Sequence, residues 1–230
     1  MHIQAPMNKL KNYTSLFLLA MLCACGSGGN NKTEIDSVEK TPEKTVGAKK
    51  NILIFGDSLT AGLGVEQEEA FPDILGNKID SLQLPYEVIN AGLSGETSAA
   101  GKARIDWLLK DQVDIFVLEL GANDGLRGIP VSETRKNLQS IIDQVKAKYP
   151  EAKLVMVGME VPPNMGKTYA SDFRMIFPDL AKKNNMALVP FLLDRVGGIP
   201  ELNQADGIHP TAAGHQILAD NVWKVLKDIL

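Results

Sequence analysis

An α/β fold of three layers, with a parallel sheet of about five strands between two layers of helices, is expected from three observations. First, apolar runs such as Ile52–Phe55 and Ile115–Leu118 show no polar alternation, as befits strands covered on both faces. Second, the stretches between these runs carry apolar residues three and four apart, the spacing of helices with one buried stripe. Third, runs and stripes alternate from residue 52 to the C-terminus, and strands joined through helices return parallel. No internal repeat interrupts that order.

The elements follow in sequence. The first strand, Ile52–Phe55, stops at Gly56-Asp57-Ser58, a turn that delivers a serine just past a strand end. Phe71, Ile74, Leu75, Ile79 and Leu82 mark a helix over 67–82, and a short strand spans Tyr86–Asn90. Thr97 or Ser98 caps a helix running to about Lys110, with Ala103, Trp107 and Leu108 expected inward. Val113–Leu120 is the third strand, placed centrally by its apolar bulk. A helix from Ser132 carries the stripe Leu138, Ile141, Ile142, Val145, and Lys153–Met159 is the fourth strand. Phe173, Ile176, Phe177 and Leu180 belong to the next helix and Ala187–Pro190 to a fifth strand. The last helix, about Thr211–Ile229, turns Leu218, Val222, Val225 and Ile229 inward. The doubly wound, flavodoxin-like strand order 2-1-3-4-5 accommodates these elements.

The 230 residues are 44% hydrophobic and 23% charged, with a formal net charge of −4, and the folded part has no cluster of Lys and Arg. Nucleic acid, which needs a basic surface, is excluded as a partner. Lys9 and Lys11 precede the apolar run Leu16–Leu22, which falls short of the roughly 20 residues that span a bilayer. Leu22-Cys23-Ala24-Cys25 after it resembles a bacterial lipobox. Residues 1–25 thus read as a lipoprotein signal peptide ending at Cys25, the lipidation site, and 26–48 as a flexible tether poor in apolar residues. The folded domain is placed at 49–230. Both cysteines, Cys23 and Cys25, precede it, so it has neither a disulfide nor a thiol nucleophile.

Three strand-end loops carry polar residues that core packing does not require: Gly56–Ser58, Asn90–Thr97 and Gly121–Asp124. A fourth piece, Asp206-Gly207-Ile208-His209-Pro210, precedes the last helix. An Asp three residues before a His is able to fold back on a turn, so that its carboxylate accepts the imidazole Nδ1–H and Nε2 stays free to take a proton from a hydroxyl. His2 lies in the signal segment, and His215 falls on the buried stripe of the last helix, which leaves His209 as the competent base. His209 and His215 are six apart, and no metal site is expected. Asp57 and Asp124 read as turn and network residues. No G-x-S-x-G elbow occurs, and the dinucleotide and phosphate-loop patterns fail at Gln67 and Val161.

The four blocks Gly56-Asp57-Ser58-Leu59, Ser94-Gly95-Glu96-Thr97, Gly121-Ala122-Asn123-Asp124 and Asp206-Gly207-Ile208-His209-Pro210 resemble those of the GDSL-type, or SGNH, hydrolases. Within that family the resemblance is to the bacterial arylesterase, acyl-CoA thioesterase and lysophospholipase branch. It implies a serine ester hydrolase without a cofactor: Ser58 as nucleophile, His209 as base, Asp206 as its partner. The Ser58 and Gly95 backbone N–H groups and the Asn123 amide then form the oxyanion hole. Leu126, Ile129, Val161, Pro162 and Met165, on the loops after the third and fourth strands, are expected to line an apolar acyl trough. An enzyme anchored in the bacterial envelope does not meet acyl-CoA, so acyl esters and lysophospholipids near the membrane are the expected substrates. The alternatives are carbohydrate O-acetyl esters or, from another class, a phosphate or flavin cradled by Ser58, Thr60 and Gly62.

Overall fold

The computed structural model describes residues 48–230. The signal segment, Cys25 and the tether lie outside the described residues, apart from the tether's last position. Five parallel strands, β1 (Lys50–Gly56), β2 (Tyr86–Gly92), β3 (Ile115–Glu119), β4 (Lys153–Val157) and β5 (Ala187–Val189), stand in the order β2-β1-β3-β4-β5, as expected. Every side chain of β3 is buried, and so are the last five of β1, because both strands are covered by helices on both faces. The three-layer arrangement follows. Helices α3 (Ser98–Leu108), α5 (Val131–Lys148) and α6 (Lys167–Asn184) pack side by side, and α2 (Phe71–Ser81) packs with α7 (Ala212–Leu226). Two short helices complete the set, α1 (Ser58–Ala61) and α4 (Ala122–Leu126), each beginning where a central strand has just ended.

Three details differ from the sequence expectations. The helix expected over 67–82 divides into a 3-10 turn, Gln67–Glu69, and α2, because Ala70 is extended and Pro72 begins the new helix. Leu82, past the end of α2, is exposed. In α3 the buried side is Ser98, Gly101, Ile105 and then Leu109, not the stripe through Ala103 and Trp107. Ala103 is exposed, Leu108 is half-buried and Trp107 is 71% exposed with the Lys110 ammonium over its ring. Gly101 explains the rotation: a Cβ there would press into Phe55 and Leu120, so the helix lies against the sheet on its smallest residue.

The strand ends are also set by glycine. A Cβ on Gly92 would overlap the backbone of Thr60 and Ala61, so only glycine lets β2 end beside the helix that carries Ser58. On this account of α3, Ile105→Ala should lower unfolding stability by about 2–5 kcal/mol. Trp107→Ala should change it by less than about 0.5 kcal/mol. Urea unfolding of the two variants checks the assignment, and a larger loss at Trp107 would contradict it.

Candidate active site

Four loops at the C-terminal edge of the sheet build the site. The first turns at Gly56, where a Cβ would collide with the Thr60 hydroxyl and with Glu119. Beneath that turn the Glu119 carboxylate, 1% exposed, accepts the Thr60 hydroxyl at 2.7 Å and the Asp57 N–H at 3.3 Å. Asp57, also buried, caps α1 by accepting the Leu59 N–H at 3.1 Å, and its other oxygen accepts the Asn123 amide at 3.3 Å. Burial raises the Asp57 carboxyl to about 6 against the opposing pull of those donors. Burial, with the Asp57 charge added, holds Glu119 well above the usual carboxylate range. The Glu119 Oε1 atom is buried and has no partner among the described residues.

Ser58 is the first residue of α1, so its N–H has no acceptor within the helix. Its Oγ lies 2.9 Å from His209 Nε2. His209 Nδ1 lies 2.6 Å from Asp206 Oδ2, and Asp206 Oδ1 accepts the N–H groups of Ile208 and His209 at 2.9 and 3.0 Å. That turn is possible because Gly207 takes a left-handed φ of 69°. The hydrogen bond from His209, together with the two backbone donors, lowers the Asp206 carboxyl to about 2. It is therefore ionised at neutral pH, and it holds the proton of the imidazole on Nδ1. The Nε2 lone pair then faces the serine hydroxyl and is able to accept its proton.

The expected oxyanion donors are placed as follows. Asn123 spends one amide hydrogen on Asp57 and lines the same cavity as Ser58 and His209. Gly95 sits in the turn after β2 with φ 79°, its carbonyl accepting from Arg127 at 3.2 Å; it is not among the residues lining the cavity. The neighbouring Glu96 is buried and makes a two-point contact with Arg104, whose guanidinium also reaches the Ala91 carbonyl at 2.9 Å. Asp124 accepts the Ser98 N–H and hydroxyl and the Thr134 hydroxyl, tying the third loop to α3 and α5. Asp57 and Asp124 are thus network residues, as the sequence indicated.

The cavity over Ser58 encloses about 670 Å³. Of the five expected trough residues, Leu126, Val161 and Pro162 line it. Ile129 and Met165 do not: the Ile129 carbonyl is tied down by the Tyr169 hydroxyl at 2.7 Å, and Met165 Cε lies over Gly128, so both pack their loops. Met159, Phe191, Leu193 and Ile208 line it as well. The signal for Phe191 and Leu193 lay in their position just after the fifth strand, on the edge that carries Ser58. Glu119 also had a signal, a lone acid at the end of an apolar strand.

Thr60 donates inward to Glu119 and the Ser58 hydroxyl pairs with His209, so the phosphate-cradle alternative has lost its side-chain donors. Among the described residues no three His, Cys, Asp or Glu side chains group as a metal site. His215 is buried in α7, stacked on Phe71, accepting the Phe71 N–H at 3.3 Å on Nδ1.

The family described as GDSL-like lipase/acylhydrolase matches residues 54–217. The chain is 39% identical over 184 residues to esterase TesA of Pseudomonas aeruginosa, covering 80% of this chain and 90% of that protein. It is equally 39% identical over 184 residues to thioesterase 1/protease 1/lysophospholipase L1 of Escherichia coli K12, covering 80% and 86%. The crystal structure of the psychrotrophic esterase EstA from Pseudoalteromonas sp., inhibited by monoethylphosphonate, superposes with a TM-score of 0.74 at 34% identity, covering 79% of this chain and 98% of that one.

Burial lowers the His215 imidazole from 6.5 to about 4, against the attraction of Glu69. Between those values the unfolded chain binds a proton that the folded one does not, so this residue removes stability as pH falls from 6.5 toward 4. The raised carboxyls of Asp57 and Glu119 act in the opposite sense, removing stability as pH rises through the interval above 3.8 and 4.5. His215→Leu should therefore be less stable than wild type at pH 7.5 and lose that disadvantage progressively toward pH 5. Urea midpoints at the two pH values test it, and parallel curves would contradict it.

Proposed function

Because the chain belongs to the GDSL-like lipase/acylhydrolase family and is a carboxylic ester hydrolase, we propose that it cleaves acyl esters through an acyl-enzyme on Ser58. The observation that carries this reading is the 2.9 Å contact between His209 Nε2 and Ser58 Oγ, with Asp206 behind the imidazole. Ser58 Oγ attacks the ester carbonyl as Nε2 takes its proton. The oxyanion formed is held by the Ser58 N–H, the Gly95 N–H and the second hydrogen of the Asn123 amide. The intermediate collapses, and the alcohol leaves with the proton from Nε2. Water, deprotonated in turn by Nε2, attacks the acyl-serine, and as the second intermediate collapses Nε2 returns that proton to Ser58 Oγ and the carboxylic acid leaves. The Asp206 carboxylate stays ionised throughout and stabilises the imidazolium.

The walls of Leu126, Val161, Pro162, Phe191 and Leu193 favour an acyl chain over a sugar, which asks for paired polar groups. Lysophospholipids and other acyl esters near the membrane are the substrates that such a lining suits. Each methylene buried should contribute up to about 0.8 kcal/mol, roughly fourfold in kcat/KM, until the cavity is filled. Activity on p-nitrophenyl esters should accordingly climb from acetate to medium chains and vanish in Ser58→Ala. Val161→Asp should blunt the climb, whereas Met165→Asp, outside the cavity, should preserve it. A strict preference for acetate would instead favour carbohydrate O-acetyl esters.

We propose also that the mature chain begins at Cys25 with a lipid attached, an anchor that keeps the hydrolase near acyl lipids of the envelope. The support is the sequence Leu22-Cys23-Ala24-Cys25 after an apolar run, followed by a Gly- and Asn-rich stretch. Cys25→Ser should move activity from the membrane to the soluble fraction. Mass spectrometry that finds an unmodified N-terminus on wild type would refute the anchor.

A further inference from the structure

Burial does not hold the loop that carries Asp206 and His209: Ala205–Ile208 are exposed, and the Asp206 side chain is 45% exposed. Besides the His209–Ser58 contact itself, its attachment to the nucleophile's side of the site runs through Gln204. The Gln204 amide donates from Nε2 to the Leu63 carbonyl at 2.7 Å and to the Pro210 carbonyl at 2.9 Å. Its backbone N–H donates to the His209 carbonyl at 2.7 Å, and its own carbonyl accepts the Gly207 N–H at 2.9 Å. Leu63 in turn donates its N–H to the Ser58 carbonyl at 3.1 Å, closing the turn that ends α1. One side chain thus joins the residue after the imidazole to the turn after the serine. The opposing backbone is shaped to it, since Gly64, at φ 84°, is the position where a Cβ would collide with the Gln204 amide.

We propose that Gln204 is a positioning residue that sets the distance between His209 Nε2 and Ser58 Oγ, an inference that rests on reading these two as base and nucleophile. Proton transfer requires the two heavy atoms about 2.6–3.2 Å apart. A misplacement of about 1 Å costs up to about 10²-fold in rate. Gln204 does not line the acyl cavity, so its loss acts on the reacting geometry and leaves substrate binding alone.

The test compares wild type with Gln204→Met, which keeps the length and removes the donors, and Gln204→Glu, which keeps the shape and turns an acceptor toward two carbonyls. Three quantities are read on protein shown to be folded by near-UV circular dichroism: kcat and KM on p-nitrophenyl butyrate, and the rate of covalent labelling by a fluorophosphonate, which needs no acyl chain. Both variants should lose about 10- to 100-fold in kcat and in labelling rate together, with KM within about twofold. A kcat within threefold of wild type in Gln204→Met would overturn the proposal, as would a rise in KM that accounts for the loss. Failure of Gln204→Met to fold would make the residue a structural one and equally end it. Absence of label at Ser58 in wild type would remove instead the reading on which the proposal stands.

Discussion

The reactive edge depends on one buried carboxyl. Glu119 closes the central strand β3, where packing alone would place an apolar side chain, and it takes the Thr60 hydroxyl and the Asp57 N–H from the loop above. Those two bonds fix the path of the chain on both sides of Ser58. They also exclude any side chain from position 56, which explains the glycine there better than a preference for turns does. The arrangement is energetically unfavourable in isolation: two acids share a buried region, both shifted toward their protonated forms, and one Glu119 oxygen lacks a partner among the described residues. The surrounding core, with Phe55 on β1 and Phe116 on β3 fully buried, supplies the burial that offsets it.

The sheet brings four loops to one edge, and side chains then hold them to one another. Asn123 reaches Asp57, Asp124 reaches Ser98, Arg127 reaches the Gly95 carbonyl and Gln204 reaches the Leu63 carbonyl. Each bond joins loops that are far apart in sequence. A site built on loops is thereby given the supporting contacts that a reacting geometry of a few tenths of an ångström requires.

Much of this was legible in the residues. Unbroken apolar runs gave the strands and their central position, because a strand covered on both faces has no reason to alternate. The Asp206–His209 spacing announced the carboxylate–imidazole contact, since a three-residue turn brings those side chains together. Periodicity was less informative about which face of a helix is buried. It favoured Trp107 over Gly101, although the smallest residue permits the closest packing against a sheet. Side-chain direction within loops was hidden as well: Met165 and Ile129 are as apolar as Phe191 and Leu193, and only the folded backbone separates those that pack a loop from those that face the cavity. Gln204 carried no signal of its own, because its partners are backbone carbonyls, which a sequence does not distinguish.

The cavity wall and the reacting groups have different origins. Ser58, Gly95 and Asn123 follow β1, β2 and β3, and Asp206 and His209 come just before α7, whereas most of the apolar wall lies on the stretches directly after β4 and β5. Met159, Val161, Phe191 and Leu193 make no side-chain hydrogen bond among the described residues to the network that aligns the serine, imidazole and carboxylate. Drift in the wall therefore breaks none of those bonds. Descendants of such a chain are free to exchange one acyl group for another by small steps, each passing through a working enzyme.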